Sequence, residues 1–149
     1  MDLTLAHVGA KLSSKEGYEQ LTALYLRRCA PYARCQSQPF RSEEDLLGWL
    51  DRQQRRTPAA LVLLDSRGKE MNSETFAKWL GGHRDAGTQH LVFAVGPADG
   101  WSQISQGRAS MLLSLGKMTM AHALARLVVA EQIYRAFTIL TGHPYHSGH

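Results

Sequence analysis

Apolar and polar positions alternate over Leu3-Thr4-Leu5-Ala6-His7-Val8 and stop at Gly9, the period-two pattern of a strand. Ser13-Ser14-Lys15-Glu16 predicts a capped helix start, because a serine oxygen accepts from the orphan N–H groups of a first turn. Tyr18, Leu21, Leu24, Tyr25 and Cys29 follow at helical spacing, and Pro31 closes that helix. A short strand is predicted from Ala33 to Pro39. Ser42-Glu43-Glu44-Asp45 opens a second helix, acid-first as the dipole favours, with Leu46, Leu47, Trp49 and Leu50 on its apolar face. Ala59 to Leu64 is a continuous apolar run ending at Asp65, which suits a strand buried on both faces. Ser66 to Lys69 reads as a loop. Ser73 is the expected cap of a third helix, which Gly81-Gly82 should end. His90 to Val95 is a second buried strand, followed by the glycine loop Gly96 to Gly100. After a short helical turn comes a strand over Met111 to Ser114. A long helix from 121 to 141 ends at Gly142, and a tail follows. Strands alternating with helices predict a doubly wound α/β sheet.

The chain has 149 residues, 44% hydrophobic and 20% charged, which fits a single globular domain over residues 1–149. No apolar run reaches the roughly 18 residues of a membrane span. The first residues lack a basic, then apolar, leader, so the cytoplasm is the expected compartment. Lys and Arg number 17 against 13 Asp and Glu, a net charge of +4 that permits a nucleic-acid partner without requiring one. Cys29 and Cys35 fit neither a redox nor a zinc spacing and read as free thiols.

Five constellations have the residue types for chemistry. Gly96 to Gly100 sits at the carboxyl end of a buried strand, where open parallel sheets bind ligands; it also fits an ordinary turn. It is neither of the familiar phosphate-cradling motifs. The turn Leu115-Gly116-Lys117-Met118-Thr119-Met120 has the glycine and apolar groups to wrap a flat ring, or is a plain connection. The long helix carries His122, Arg126, Glu131, Tyr134 and Arg135 beside a wide apolar stripe, which suggests a contact beyond the sheet. His143-Pro144-Tyr145-His146 brings imidazoles beside a phenol, able to meet an anion, stack on a base or move a proton. With His149 it also invites a metal, but no cysteine or carboxylate is near in sequence and no metal is expected. Arg27-Arg28, Arg34, Arg52, Arg55 and Arg56 are either phosphate-neutralising groups or solvated helix ends.

From Met118 onward the residues read MTMAHALARLVVAEQIYRAFTILTGHPYH. The T-x-x-H-x-L-x-R entry, V-A-E-Q-x-Y-R-A and the terminal H-P-Y-H closely resemble the RlmH family of SPOUT-class 23S rRNA pseudouridine N3-methyltransferases. Leu63-Leu64-Asp65 with Gly68-Lys69, Val95 to Gly100, Val8-Gly9 with Lys11, and Tyr25 to Arg28 are similar as well. The resemblance is weak from Pro31 to Pro58. It implies a parallel-sheet α/β fold with a C-terminal trefoil knot, S-adenosylmethionine as cofactor, and a homodimer. The implied substrate is a pseudouridine in the helix 69 stem-loop of 23S rRNA within the assembled 70S ribosome. The implied cofactor residues are Leu64, Gly96, Gly100, Leu115, Gly116, Lys117, Met118, Thr119 and Met120. His122, His143, Tyr145 and His146 are the candidates for proton transfer or oxyanion stabilisation. Arg27, Arg28, Arg126 and Arg135 are the candidates for gripping RNA. The chain departs from the family pattern at Pro97, Gly116 and Ala121, and its tail extends to His149. A non-catalytic RNA- or ribosome-binding module is the competing expectation, and a metal-dependent hydrolase using the terminal histidines a further one.

Overall fold

A computed structural model describes residues 1–9, 16–53, 55–97 and 99–147. Five strands run in the order β2-β1-β4-β3-β5: β1 (Asp2–Val8), β2 (Arg34–Phe40), β3 (Ala60–Glu70), β4 (His90–Val95) and β5 (Met111–Ser114). Every pairing is parallel. Five helices alternate with them: α1 (Tyr18–Arg28), α2 (Glu43–Asp51), α3 (Ser73–Asp85), α4 (Gln103–Arg108) and α5 (His122–Thr141).

The continuous apolar runs are explained by helices on both faces. Leu91, Phe93 and Val95 of β4 pack with Leu26 of α1, Phe76 and Leu80 of α3, and Ile133 and Phe137 of α5. Val92 and Ala94 turn the other way, towards Leu46 and Leu50 of α2 and towards Trp101. Each fully buried Leu or Phe contributes about 1.5–3 kcal/mol, so no polar position in β4 past His90 could be tolerated. Cys29 and Cys35 are free thiols. A hydrogen bond with Cys35 and burial push the Cys29 thiol well above its usual range.

Four local expectations are corrected. The cap of α1 is Gly17, at φ +82° and without a side-chain bond; Ser13, Ser14 and Lys15, like Lys11, lie outside the described residues. Ser42 does cap α2, accepting from the Asp45 N–H at 3.1 Å. In α3 the cap is Asn72, whose Oδ1 accepts from the Thr75 N–H at 2.8 Å. Ser73 is already helical, and its hydroxyl donates to Gln132 of α5 at 2.8 Å. Nor does α3 stop at Gly81-Gly82. The glycine serves packing there, since a Cβ on Gly81 would lie 2.8 Å from Cδ2 of Leu140.

The fourth correction bears on the site. Ser66 to Lys69 is part of β3. Both Leu64 and Lys69 face Leu113 of β5, so the residues between them bulge out of the ladder. Gly68 allows the bulge to lie against its neighbour: a Cβ there would meet the Leu112 carbonyl carbon at 2.5 Å and its oxygen at 2.6 Å. Backbone atoms cannot swing aside. Gly68→Ala is therefore expected to cost roughly 1–3 kcal/mol. Urea denaturation would show a lowered midpoint, and an unchanged midpoint would contradict the packing described.

Candidate active site

The β3 bulge and the carboxyl ends of β4 and β5 open into one cleft of about 830 Å³. Its first wall is Leu64, Asp65, Ser66 and Arg67, and its second is Val95, Gly96, Pro97, Asp99, Gly100 and Trp101. The third is Leu113, Leu115, Gly116, Met118, Thr119 and Met120. Val8 and Gly9 close it on the β1 side, and His122 and Ala125 from α5. Every residue expected to hold the cofactor is in this lining except Lys117, which is exposed. Ala98 of the glycine loop lies outside the described residues.

The walls are tied to one another. Trp101, only 5% exposed, donates its indole N–H to the Leu64 carbonyl at 2.9 Å. Gly96 lies against that ring; a Cβ on it would come within 2.7 Å of both Cζ2 and Nε1. The Ser114 hydroxyl accepts from the Gly116 N–H and donates to the Gly116 carbonyl, each at 3.0 Å. That bond pair folds the third loop, with Gly116 at φ +129°, where side chains are strained. Met118 projects from the rim, 88% exposed.

Polar groups are few. Asp65 accepts three bonds from Arg67: its backbone N–H at 2.8 Å, Nε at 3.0 Å and Nη2 at 2.8 Å. The Arg67 hydrogen bonds hold the Asp65 carboxyl below its ordinary range. Burial, followed by the charge of Arg126, lowers the His122 pKa, and its Nε2 is buried without a hydrogen-bond partner among the described residues. The lowered pKa favours the neutral imidazole.

Beneath it lies His7, its ring centroid 6.0 Å from that of His122 in an edge contact. Burial first, then Arg126 and His122, lowers the His7 pKa to about 4. Burial also lowers His90, whose Nε2 is 2.8 Å from Oγ1 of Thr4. Histidines with depressed pKa values stay neutral in the folded state while the unfolded chain takes up protons. Stability is therefore fully present above about pH 6.5 and falls from there towards about pH 4. His7→Asn should flatten that part of the profile, as read by denaturation midpoints at stepped pH. A slope equal to the unsubstituted protein's would show that His7 is not its source.

The terminal cluster forms elsewhere. Tyr145 donates its hydroxyl to Glu131 at 2.9 Å, and Arg135 donates to the same carboxylate through Nε at 3.0 Å and Nη2 at 2.6 Å. His146 lies 2.9 Å from Arg135 Nη1 through Nδ1 and 2.8 Å from Glu74 through Nε2. Burial, then hydrogen bonding, raises the Tyr145 pKa, so the phenol is a neutral donor. His143 is exposed and caps the short 3-10 turn Pro144–His146, its Nδ1 accepting from the Tyr145 N–H at 3.2 Å. Of the four residues expected to act on protons, only His122 lines the cleft. His149 lies outside the described residues.

Arg126 is corrected as an RNA contact. It is fully buried, donating through Nη1 to Glu19 and through Nη2 to Ser37 Oγ at 2.6 Å. No phosphate reaches it. Arg27 and Arg28 are exposed at the end of α1, with Arg28 over the Tyr25 ring at 5.2 Å. Sequence reasoning missed Trp101, Arg67 and His7. For the first two, their position just past a buried strand was the available signal.

The family model described as Predicted SPOUT methyltransferase matches residues 1–146. A Koribacter versatilis (strain Ellin345) protein named Ribosomal RNA large subunit methyltransferase H is 47% identical over 149 residues, covering 100% of both chains. A Rhizobium etli protein of the same name is 56% identical over 88 residues, 59% of this chain and 55% of that protein. Among solved structures, the SpoU methyltransferase AviRb from Streptomyces viridochromogenes, crystallised with the cofactor AdoMet, shares the fold. Its TM-score is 0.53 at 12% identity, over 94% of this chain and 58% of that one. With a family match over nearly its whole length and end-to-end identity to a relative, this chain belongs to the SPOUT methyltransferases, in the family of ribosomal RNA large subunit methyltransferase H.

Proposed function

We propose that this chain methylates N3 of a pseudouridine in the helix 69 stem-loop of 23S rRNA, acting in the cytoplasm as a homodimer on the assembled 70S ribosome. The methyl donor is S-adenosylmethionine. The observation that carries the reading is the convergence on one cleft of the β3 bulge and the loops that follow β4 and β5, three adjacent strands. Its volume lies within the roughly 300–1,000 Å³ range of small-molecule sites. Leu64, Leu113 and Leu115 give it an apolar floor, and the glycine-bearing loops bring backbone groups close to a ligand. Those residues fit an adenosine with a short apolar chain. The relatives' name supplies the ribosomal RNA half of the reading. The trefoil knot implied by the family resemblance belongs to the same proposal.

Bound S-adenosylmethionine supplies a methyl group already activated by its sulfonium. The protein's task is then positioning, which for well-oriented reactants is worth roughly 7–11 kcal/mol. Trp101 ties the second wall of the cleft to the first by its bond to Leu64. The N3 proton of the acceptor must leave, and negative charge then spreads onto the ring carbonyl oxygens. Tyr145, by turning its single O–H from Glu131 to the substrate, can stabilise such an oxygen. In one chain it does not line the cleft, so a second copy must deliver it, which is the argument for the dimer. Leu124, Leu127 and Val128, half-buried residues of α5 that lie outside the core, offer the surface. Tyr145→Phe should lower kcat about tenfold with cofactor affinity unchanged, the worth of one hydrogen bond. A wild-type kcat would remove Tyr145 from the reaction.

The direct test uses radiolabelled S-adenosylmethionine with ribosomes, or free large subunits, lacking the modification. Label should enter one pseudouridine, located by nuclease digestion and mass spectrometry, with whole ribosomes only. Absence of transfer to either acceptor would overturn the reading.

A further inference from the structure

We propose that Arg67 is the residue that positions the acceptor strand: its guanidinium, held in place by Asp65, takes a backbone phosphate of the RNA at the mouth of the cofactor cleft. The inference rests on the methyltransferase reading above and adds to it a group that orients the substrate. Among the described residues of the lining, the ionisable side chains are Asp65, Arg67, Asp99 and His122. His122 is neutral there. Arg67 is thus the one permanent cation in a lining that otherwise holds two carboxylates, which would repel an RNA strand.

The placement is specific. The arginine stands on the β3 bulge, which arches out between Leu64 and Lys69. Its Nε and Nη2 fork onto the two Asp65 oxygens, a bidentate geometry that fixes the plane of the guanidinium. Nη1 has no partner among the described residues and is left to donate outward. The Asp65 side chain is 6% exposed and that of Arg67 67%. The carboxylate is therefore the inner member of the pair and the cation the outer one. An incoming phosphate meets the outer group first. The pairing has a second effect, since it masks the Asp65 charge that the strand would otherwise approach. Lysine keeps the charge but cannot reproduce the fork.

The test compares wild type, Arg67→Gln and Arg67→Lys, each checked for an unchanged melting temperature. Three quantities are measured: cofactor Kd by calorimetry, KM for unmodified ribosomes, and the salt dependence of binding to the isolated stem-loop RNA by fluorescence anisotropy. R67Q is expected to raise KM about tenfold and leave the cofactor Kd within twofold. Its log K against log salt slope should shrink by about 0.7, the value of one single-strand phosphate contact. R67K should recover the slope and only part of KM. An unchanged KM and slope in R67Q would overturn the proposal. So would a weakened cofactor Kd with RNA binding intact, which would give Arg67 to the cofactor's carboxylate. Failure of the methyltransferase reading is separate, because it appears as no label transfer by the wild type, whereas the anisotropy slope tests Arg67 without turnover.

Discussion

Glu19→Leu is expected to destabilise the fold by about 3–5 kcal/mol, more than truncating the arginine it pairs with. Arg126 is fully buried, and Glu19, 33% exposed at its side chain, is its carboxylate partner. Removing Glu19 leaves a guanidinium in the core with, among the described residues, only the Ser37 hydroxyl to answer it. An uncompensated buried charge costs about 3–5 kcal/mol. For a chain of this length that corresponds to roughly 6–20 °C in melting temperature. Arg126→Met leaves Glu19 instead, which can turn towards water, so its cost should be smaller. The double variant removes both charges and should be more stable than Glu19→Leu alone. Calorimetric melting of the three proteins decides the matter. A double variant no more stable than the single would show that the lost stability is packing and not unpaired charge.

Gly96→Ala should remove at least 100-fold from kcat/KM, chiefly through cofactor affinity. The added methyl falls on the Trp101 indole, which has nowhere to retreat because it is buried and donates to Leu64. Overpacking of this kind typically costs 1–3 kcal/mol in the fold. The larger loss is local, since displacing the ring frees two walls of the cleft at once. Trp101→Leu placed on Gly96→Ala should restore part of the melting temperature by making room, while leaving the first loop untied and the cofactor weakly held. Calorimetric titration with S-adenosylmethionine reads the first effect. A wild-type Kd in Gly96→Ala would mean that the indole moves without disturbing the site.

How much of this was legible depended on whether the deciding contact was near in sequence. The bounds of β4 match the sequence reading because a strand buried on both faces leaves an unbroken apolar run, and those of β5, a half-buried edge strand, match as well. The end of α5 was legible too, since Gly142 takes a left-handed turn that a glycine accepts freely. The β3 bulge was not, because Ser66 to Lys69 is as polar as a loop and its backbone direction is set by β5, more than forty residues on. Gly81 reads as a stop signal because Leu140, the side chain it makes room for, comes far later in the chain. Arg126 read as a surface cation because its partner precedes it by 107 residues. The cofactor loops were visible through family-like motifs at strand ends. Arg67 and Trp101, which hold or guard those loops, match no motif and had to be found through their bonds.

The strand order has a consequence for the chain while it is being made. β4 is the fourth strand in sequence but the central one in space, between β1 and β3. A nascent chain that has emerged only as far as Asp85 can pair β1 with β2, but β3 has no neighbour, and the inner edge of β1 is open. Both are apolar strands with unpaired backbone groups, the kind that other chains can join. Emergence of His90–Val95 closes the inner edge of β1 and one edge of β3 together, the other edge of β3 waits for β5, and the ligand cleft cannot exist until the last loop and His122 have followed. Interruption of synthesis between residues 70 and 90 would therefore yield the most aggregation-prone fragments, and a slow-translating codon stretch there would lower the yield of active protein more than one placed after Ser114.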